Sequence, residues 1–391
     1  MLKFLQSRLL LSDSQIFYTS GPLQMKYAYG LENKLNPEKK KEMLFEPYTP
    51  KTPGELAGKE SMFDQIRKQD RLLSYPYESM KPFLHLLEEA ASDPDVRSIQ
   101  ITIYRLAGKS KLVKYLCRAA ENGKKVTVLI ELRARFDEQN NIDWSKEFEK
   151  SGCTIMYGMA NFKVHSKLCL ITRNERGTLR RYTQIGTGNY NETTSKLYTD
   201  FSLMTADPGI GEDAALFFRN MGIGNLEGRY DHLRDASCAG VEIHMIVRGI
   251  CCLVPGIPGE TENIEVRSIV GRYLEHSRIY VFGKGSTEKM YIASADFMTR
   301  NTRRRVEVGC PILDPEVREK IWKVIHLQWS DNTKAMKLLP ERKYEPVTGE
   351  GSVNSQEEQM KLAEETRRKD CTFIKRIKNM RKVCNLVQKI Y

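Results

Sequence analysis

Two copies of one sequence pattern restrict the fold of this chain more than any other feature. His165-Ser166-Lys167 and His276-Ser277-Arg278 each stand directly before an aliphatic run that is typical of a β-strand. Each triplet also follows an apolar run that ends in arginine, 32 residues after Arg133 in the first copy and 28 residues after Arg248 in the second. An internal repeat indicates duplicated structural units that pack together. We therefore predict an α/β fold with two homologous lobes that face each other across a cleft.

The chain divides into four segments by composition and pattern. Residues 1–60 are polar and punctuated by proline and glycine, so we expect a connecting segment without a core of its own. Residues 61–222 alternate helical and strand patterns and form the predicted first lobe, and residues 223–340 form the second. A linker and a basic tail follow over residues 341–391.

The second copy of the repeat is shorter than the first. The first lobe has a helix, a strand and another helix between Tyr77 and Gly123, whereas only Asp231–Ala239 stand in the matching place of the second. We therefore expect a strand and at least one helix to be missing near residue 232. Internal strands of a parallel sheet are buried on both faces, so the loss of one exposes its neighbours. The second lobe is predicted to be incomplete.

Composition excludes several classes of protein. The 391 residues carry a net charge of +12, which favours a polyanionic partner such as a phosphate compound, nucleic acid or an anionic membrane. The nine cysteines are scattered and form no paired motif of a zinc site, so we expect reduced thiols. No apolar run is long enough to span a bilayer, and the first residues do not form a secretory signal. The chain is therefore predicted to be cytoplasmic.

Half of the net charge lies in the C-terminal segment Cys371–Tyr391, which has six basic residues and no acidic one. Its apolar residues recur every three or four positions, which is typical of an amphipathic helix. Such a helix either docks on the body of the protein or contacts an anionic membrane or polyphosphate. The sequence leaves both interpretations open.

The paired triplets contain residues suited to phosphoryl transfer. An imidazole is a nucleophile at neutral pH, and a cation two residues later lies on the same strand face, where it can hold phosphate oxygens. His165 with Lys167 and His276 with Arg278 fit this description. Gly186–Asn189 adds unhindered backbone N–H groups and the amide of Asn189. We predict that one histidine attacks phosphorus and the other handles the proton of the leaving group.

Arginines recur where predicted strands end. Arg105, Arg133, Arg135 and Arg248 stand at the edge at which α/β sheets bind ligands. They form either ion pairs with neighbours in the sheet or a clamp for phosphate oxygens, and their recurrence favours the clamp.

Two aspartates are candidates for orienting the histidines. Asp200 follows the first triplet and Asp296 the second, so Asp200 could orient His165 and Asp296 could orient His276. Both aspartates could equally be turn residues.

The duplicated His-x-Lys pattern resembles that of the phospholipase D superfamily. Hydrolases of that group carry an aspartate five residues after the lysine, where this chain has Thr172 in the first copy and Gly283 in the second. The chain more closely resembles the polyphosphate kinases of the large bacterial type, which share the duplicated fold. The resemblance runs from about residue 10 to residue 358 and rests on Tyr75–Ser79, Ile103–Arg105, Arg133–Glu138, Lys163–Lys167, Gly186–Asn191, Leu197–Asp200, Val247–Cys251, Leu274–Arg278 and Ser294–Asn301.

The resemblance implies a reversible transfer of the γ-phosphate of ATP to a growing polyphosphate chain through a phosphohistidine. His165 matches the phosphorylated nucleophile, and His276 matches a second histidine that acts as an acid–base group and contacts phosphate. Tyr198 and Arg248 match nucleotide-binding positions. ATP, ADP and inorganic polyphosphate are the implied partners, and nucleic acid is not expected.

Magnesium is the implied cofactor. Arg105 and Arg135 match positions that the family assigns to its magnesium–phosphate site. A guanidinium has no lone pair for a cation, so we expect both arginines to hold the phosphates that chelate the metal.

Two other functions remain as alternatives. A phospholipase D-like phosphodiesterase or nuclease would hydrolyse diesters without ATP, and an inactive remnant would bind polyphosphate without turnover. In the family, a nucleotide-binding domain and a head domain precede the matched region, and adenine recognition and dimerisation lie partly in them. The resemblance therefore predicts neither the activity of this chain alone nor its oligomeric state.

Overall fold

The computed structural model divides the chain into two units, Met1–Tyr48 and Thr49–Tyr391. Arg135, the segment around residue 232 and the tail Cys371–Tyr391 lie outside the described residues. The structure describes residues 2–13, 16, 18, 20–21, 30–58, 60–134, 137–158, 162–223, 240–249, 251, 253–296, 301 and 304–366.

Among these residues, every helix is too short or too polar to span a bilayer. The five cysteines that the structure describes are free thiols.

The first unit contains two short helices, α1 (Leu2–Leu9) and α2 (Pro37–Met43), neither of which buries a residue. Helix α2 begins as its sequence dictates, because the Asn36 side chain accepts a hydrogen bond from the backbone of Lys39 and proline occupies the first turn. None of the described residues of this unit belongs to a buried apolar cluster. The polar character of the segment predicts this lack of a core.

The second unit begins with the first lobe, which is built on one continuous sheet. The strands of the lobe are β1 (Arg71–Tyr75), β2 (Val96–Ile103), β3 (Lys125–Ile130), β4 (Thr154–Tyr157), β5 (Lys163–Val164), β6 (Leu168–Glu175), β7 (Thr178–Gly186) and β8 (Tyr198–Thr205), and all of them except β5 belong to this sheet. The strand order is β1-β8-β7-β6-β2-β3-β4. Strands β2, β3 and β4 are parallel, whereas β6, β7 and β8 form an antiparallel meander.

Both faces of this sheet are buried, which explains the nearly continuous apolar run of β3. The helices of the lobe are α3 (Met62–Lys68), α4 (Lys81–Ser92), α5 (Lys111–Glu121), α6 (Glu138–Lys150) and α7 (Pro208–Ile223). Val128 and Ile130 belong to a core shared with α3 to α6. Leu129, on the opposite face, belongs to a second core that includes α7 and residues of the second lobe. The two lobes therefore share one of their cores.

The second lobe has two separate sheets. Its elements are β9 (Ile243–Ile246), β10 (Ile264–Ile269), β11 (Leu274–Glu275), β12 (Ile279–Phe282), β13 (Lys289–Ala293), β14 (Arg305–Val306), β15 (Gly309–Pro311), α8 (Pro315–Trp329), β16 (Ala335–Leu338), β17 (Tyr344–Pro346) and α9 (355–366). One sheet has the order β17-β16-β10-β9, and the other has the order β12-β13-β15. Strands β9 and β10 are parallel, and β13 is antiparallel to both of its neighbours.

The repeat accounts for this division into two sheets. Strands β9 and β10 correspond to β3 and β4, and β12, β13 and β15 correspond to β6, β7 and β8. In the first lobe, β2 joins the two groups, because it pairs parallel with β3 and antiparallel with β6. No strand takes that place in the described part of the second lobe. The division agrees with the incomplete second lobe that the sequence predicts.

Two short strands connect the lobes and lead into the histidine triplets. Strand β5 of the first lobe pairs parallel with β14 of the second, and β11 of the second lobe pairs parallel with β8 of the first. Each histidine directly follows one of these strands, β5 or β11. The predicted α/β fold with two lobes is thus confirmed, and both histidines lie where the lobes meet.

Candidate active site

His165 is held by residues of the second lobe. Its backbone N–H donates to the carbonyl oxygen of Val306 at 2.9 Å, where β5 meets β14. Its ring nitrogen Nδ1 lies 3.0 Å from both carboxylate oxygens of Glu307. The ring of Tyr104 contacts the imidazole edge to face, with 4.8 Å between ring centres. These contacts fix the orientation of the imidazole and assign Nδ1 to the carboxylate.

His276 has the same arrangement with the lobes exchanged. Its backbone N–H donates to Oγ1 of Thr199 at 3.0 Å, where β11 meets β8. Its Nδ1 lies 2.9 Å from both carboxylate oxygens of Asp200. The ring of Tyr198 packs against the imidazole, with 5.2 Å between ring centres. Each lobe therefore supplies the carboxylate that orients the histidine of the other lobe.

The aspartate partners predicted from the sequence are wrong. Asp200 holds His276 rather than His165, and Asp296 accepts a hydrogen bond from Nε of Arg278 at 2.9 Å. The physical reason is the exchange of β5 and β11, which places each histidine beside a strand of the opposite lobe. Proximity in the sequence favours a partner from the same lobe, and it gives no sign of this exchange.

Glu307 is the functional residue that sequence reasoning missed. Glu307 lies between β14 and β15, and its carboxylate is directed at the imidazole. Its carboxylate also accepts hydrogen bonds from Ser294 and Asn301. The repeat contained the signal, because Asp200 stands 35 residues after the first histidine and Glu307 stands 31 after the second. The spacing from arginine to histidine differs between the copies by the same four residues.

Hydroxyl side chains hold the two carboxylates in equivalent ways. Oγ1 of Thr187 donates to Asp200 at 2.6 Å, and the hydroxyl of Ser294 donates to Glu307. The backbone N–H of the residue after each carboxylate donates to the same hydroxyl oxygen, at 2.9 Å and 3.0 Å. A methyl group on Gly188 would place its carbon 2.1 Å from Oδ2 of Asp200. Glycine at this position therefore leaves room for the carboxylate that orients His276.

Three cations surround the imidazoles. Lys167 is buried, and its ammonium group donates to the carbonyl oxygen of His165. Arg278 donates to the carbonyl oxygen of His276 at 2.8 Å, and its guanidinium lies 3.1 Å and 3.2 Å from the two ring nitrogens. The charge of Arg305 also acts on His165. Positive charges around two imidazoles suit an anionic ligand such as a phosphate.

Burial favours the neutral form of both imidazoles. It lowers the pKa of His165 well below its usual range, and the charges of Lys167 and Arg305 lower that pKa further. Burial also lowers the pKa of His276, although Asp200 opposes the shift. A neutral imidazole keeps the lone pair that nucleophilic attack or proton transfer requires.

Two residues predicted to bind nucleotide lie beside the second histidine. Tyr198 contacts the ring of His276, and Arg248 donates at 2.8 Å to the carbonyl oxygen of Glu275, the residue before that histidine. Asn189 lies two residues after Thr187, and its Oδ1 atom is buried without a hydrogen-bond partner among the described residues. Tyr198 and Arg248 thus lie beside His276 and the residue that precedes it.

The described residues do not form a magnesium site of their own. They contain no group of three or more His, Cys, Asp or Glu side chains placed to hold a metal. The carboxylates of Asp200 and Glu307 are engaged by imidazoles. Arg105 pairs with Asp137 at 2.9 Å and has no lone pair for a cation, and Arg135 lies outside the described residues.

Two family descriptions match consecutive parts of the chain. "Polyphosphate kinase C-terminal domain 1" matches residues 61–225, and "Polyphosphate kinase C-terminal domain 2" matches residues 225–357. Together they cover well over half of the sequence.

Curated relatives and a solved structure give the same family. Polyphosphate kinases of Bacillus anthracis and Bacillus cereus are each 38% identical to the chain, over 93% of this chain and 58% of the relative. The crystal structure of polyphosphate kinase from Porphyromonas gingivalis matches with a TM-score of 0.78 and 32% identity, over 94% of this chain and 63% of that chain. The chain thus spans a little over half the length of the curated relatives it matches. It belongs to the polyphosphate kinase family.

Proposed function

We propose that this chain is the catalytic part of a polyphosphate kinase and transfers the γ-phosphate of ATP reversibly to inorganic polyphosphate through a phosphohistidine. Membership of the family supports the class of reaction. The observation that carries the mechanism is the exchange of carboxylates between the lobes, with Glu307 on Nδ1 of His165 and Asp200 on Nδ1 of His276. Two oriented, neutral imidazoles face a cluster of cations, which is an arrangement suited to phosphoryl transfer.

His165 is the proposed nucleophile. Because its Nδ1 is bound to Glu307, the lone pair of the neutral ring lies on Nε2. Attack on phosphorus gives the ring positive charge, which the guanidinium of Arg278 against His276 would oppose at that second ring. The charges of Lys167 and Arg305 oppose positive charge at the ring of His165 as well, so the cations do not distinguish the two histidines. We choose His165 as the nucleophile because it matches the phosphorylated histidine of the family, and Glu307 on its Nδ1 stabilises the charge that develops on the ring.

The proposed reaction has two displacements at the same phosphorus atom. In the first, a bond forms between Nε2 of His165 and the γ-phosphorus while the bond from this phosphorus to the bridging oxygen breaks. ADP leaves with the electron pair of the broken bond, and the carboxylate of Glu307 stabilises the charge that develops on the imidazole. In the second, a terminal oxygen of polyphosphate attacks the phosphorus and releases His165. The same steps in reverse form ATP.

The surrounding groups are proposed to hold the substrates. Arg278 and Arg305 bind oxygens of the transferred phosphoryl group, and His276 contacts an attacking or leaving phosphate oxygen and exchanges its proton. Tyr198 and Arg248 contact the nucleotide beside His276. We propose that Mg²⁺ would be held by the phosphates of ATP, where it would supply positive charge that neutralises phosphate oxygens. In this proposal, the arginines predicted for the magnesium–phosphate site hold those phosphates and do not ligate the metal.

The test is incorporation of label from ATP that carries ³²P in the γ position. We expect the parent chain to take up acid-labile, alkali-stable label and His165→Ala to take up none. His85→Ala replaces a histidine of helix α4 outside the site and should be labelled like the parent. Equal labelling of His165→Ala and the parent would contradict the mechanism.

Two other results would select the alternative functions. Polyphosphate binding by a parent chain that takes up no label would identify a binding remnant. Hydrolysis of bis(p-nitrophenyl) phosphate without ATP would identify a phosphodiesterase. Either result would overturn the proposal of a polyphosphate kinase reaction for this chain.

A further inference from the structure

Among the described residues, β9 and β12 are sheet edges, whereas their counterparts in the first lobe are not. Their counterparts β3 and β6 lie on either side of β2 and pair with it. All residues of β3 after Lys125 are buried, whereas no residue of β9 or β12 is fully buried. We call the space between these two edge strands the β9–β12 gap. Its borders are apolar strands that retain the character of internal ones.

The two edge strands run in opposite directions, as they must if one intervening strand is to pair parallel with β9 and antiparallel with β12. Lys284, after β12, lies 3.9 Å from Glu242, before β9. At the other end, Arg248, after β9, donates at 2.8 Å to the carbonyl oxygen of Glu275, before β12. The strands therefore run side by side in opposite directions, as β3 and β6 do around β2. Long side chains span the β9–β12 gap at both ends.

Backbone groups of β9 and β12 point into the β9–β12 gap. Directly before β12, the carbonyl oxygen of Arg278 accepts from Ala293 at 3.0 Å, so alternation along the strand directs the backbone groups of Val281 away from β13 and into the gap.

Along β9, the N–H of Ile243 donates to the carbonyl oxygen of Asn263, directly before β10, and the N–H of Val247 donates to the carbonyl oxygen of Arg267 in β10, each at 2.8 Å. Because the backbone groups of successive residues alternate in direction along a strand, those of His244 and Ile246 point away from β10 and into the gap. Edges of this kind are templates for pairing with a further strand.

The matched relatives contain residues that have no counterpart in this chain. The alignment with the Bacillus anthracis enzyme extends over 411 residues but uses only 93% of this 391-residue chain. Several tens of residues of the relative therefore have no counterpart here. The shortfall in the second copy of the repeat lies before β9, where the strand equivalent to β2 would stand.

We propose that the β9–β12 gap binds an extended strand from a separate polypeptide. The bound strand lies parallel to β9 and antiparallel to β12. It alternates apolar and small polar residues, as β2 does with Ile99, Ile101 and Ile103 buried on one face. Backbone hydrogen bonds to the two edges provide affinity, and the apolar face provides selectivity.

A strand in the β9–β12 gap would act directly on the second half of the candidate active site. Arg278 immediately precedes β12, His276 lies three residues before that strand, and Arg248 lies two residues after β9. Fixing both edges limits the movement of the residues attached to them. The strand-binding proposal goes beyond the proposed phosphotransfer and does not depend on it.

The probe is a fluorescent peptide with the sequence of Asp95–Tyr104 followed by three lysines for solubility. We expect saturable binding by fluorescence anisotropy and a rise of several degrees in the melting temperature of the chain. The control peptide replaces Ile99, Ile101 and Ile103 with serine, and it should neither bind nor stabilise. A parent chain that gives no saturable binding of the first peptide would overturn the proposal.

Two variants of one residue test the backbone pairing. His244→Pro removes an N–H that points into the β9–β12 gap, and we expect it to weaken peptide binding about tenfold. His244→Ala loses the same side chain, including its stacking on Trp329, but it keeps the N–H and should bind like the parent. If His244→Pro fails to fold, as judged by circular dichroism, Val281→Pro on β12 serves the same purpose. Equal binding by the proline variant and the parent would contradict strand addition.

The same experiments identify other occupants. Dimerisation that the peptide competes away would show that a second copy of the chain fills the β9–β12 gap and would overturn the choice of a separate polypeptide. Pairing of residues 224–239 with β9, measured by NMR, would overturn the proposal as well. None of these measurements uses ATP, so their failure is distinct from failure of the phosphohistidine mechanism.

Discussion

Replacement of Glu307 by glutamine removes the charge that orients His165 but keeps the shape of the side chain. The carboxylate meets three donors, which are Nδ1 of His165, the hydroxyl of Ser294 and the amide of Asn301. A glutamine has one acceptor oxygen, so its NH₂ group must face one of these donors. The variant therefore loses at least one charge-assisted hydrogen bond at the imidazole or at the groups that hold the carboxylate.

The size of the effect follows from the charge that develops during attack. A hydrogen bond to a charged group contributes about 1.5–3 kcal/mol. Because the imidazole gains positive charge as it attacks phosphorus, the contribution of Glu307 is larger in the transition state than in the ground state. A loss of about 2–3 kcal/mol there reduces the rate about 30–150-fold. Stability should change less, because burial raises the pKa of Glu307 and makes its charge costly in the folded state.

Rapid-quench labelling with γ-³²P ATP measures the rate of phosphohistidine formation. Glu319→Gln is the matched control, because it makes the same change on an exposed face of α8 and should label at the rate of the parent. ¹⁵N NMR of the His165 ring reports independently whether the proton stays on Nδ1. If Glu307→Gln is labelled within about threefold of the parent rate, the transition-state argument above is refuted.

Three further changes test other parts of the structure. Gly188→Ala should lower the free energy of unfolding by about 1–3 kcal/mol in urea, because the added carbon would meet Asp200, whereas Gly108→Ala meets no atom within 4 Å and should have little effect. His165 is buried with a pKa below that of an unfolded histidine, so unfolding takes up a proton and stability should fall as the pH drops below 6.5. Substitution of His165 by asparagine should reduce this slope by up to about 1.4 kcal/mol per pH unit, as measured by urea titrations between pH 7 and pH 5. Gln356→Leu removes a hydrogen bond to the buried carboxylate before the second histidine and should destabilise the chain by about 1–3 kcal/mol in the same assay.

The two-lobed architecture was predictable because the repeat contains both long-range spacing and local pattern. Strand β3 is an example, since its nearly continuous apolar run predicts burial on both faces, and Val128 and Leu129 lie in different cores. The shortfall of the second copy was visible because one copy of the repeat could be measured against the other, and the division of the described second lobe into two sheets agrees with it. Comparison of the two copies of the repeat therefore supported a prediction that one copy alone would have been too weak to support.

The partners of the histidines were not predictable by the same means. Strands β5 and β11 have two residues each, which is too short for a periodic pattern, and both pair with the opposite lobe. Arg133 shows a related difficulty, because its position at a strand end fits either an ion pair or a phosphate clamp. In the structure it pairs with Glu131 at 3.4 Å and donates to the carbonyl oxygen of Phe162 at 3.0 Å. Such choices depend on tertiary contacts that the local sequence does not record.

The exchange of carboxylates makes the two lobes dependent on each other. The first lobe alone would keep His165 and Asp200 but lose Glu307, and the second alone would keep His276 but lose Asp200. Each imidazole is therefore oriented by a carboxylate only when the two lobes are docked. It follows that disorder in the second lobe would affect both histidines, His276 through its own strand and His165 through Glu307. A bound strand in the β9–β12 gap would, for the same reason, act on the whole site and not only on its second half.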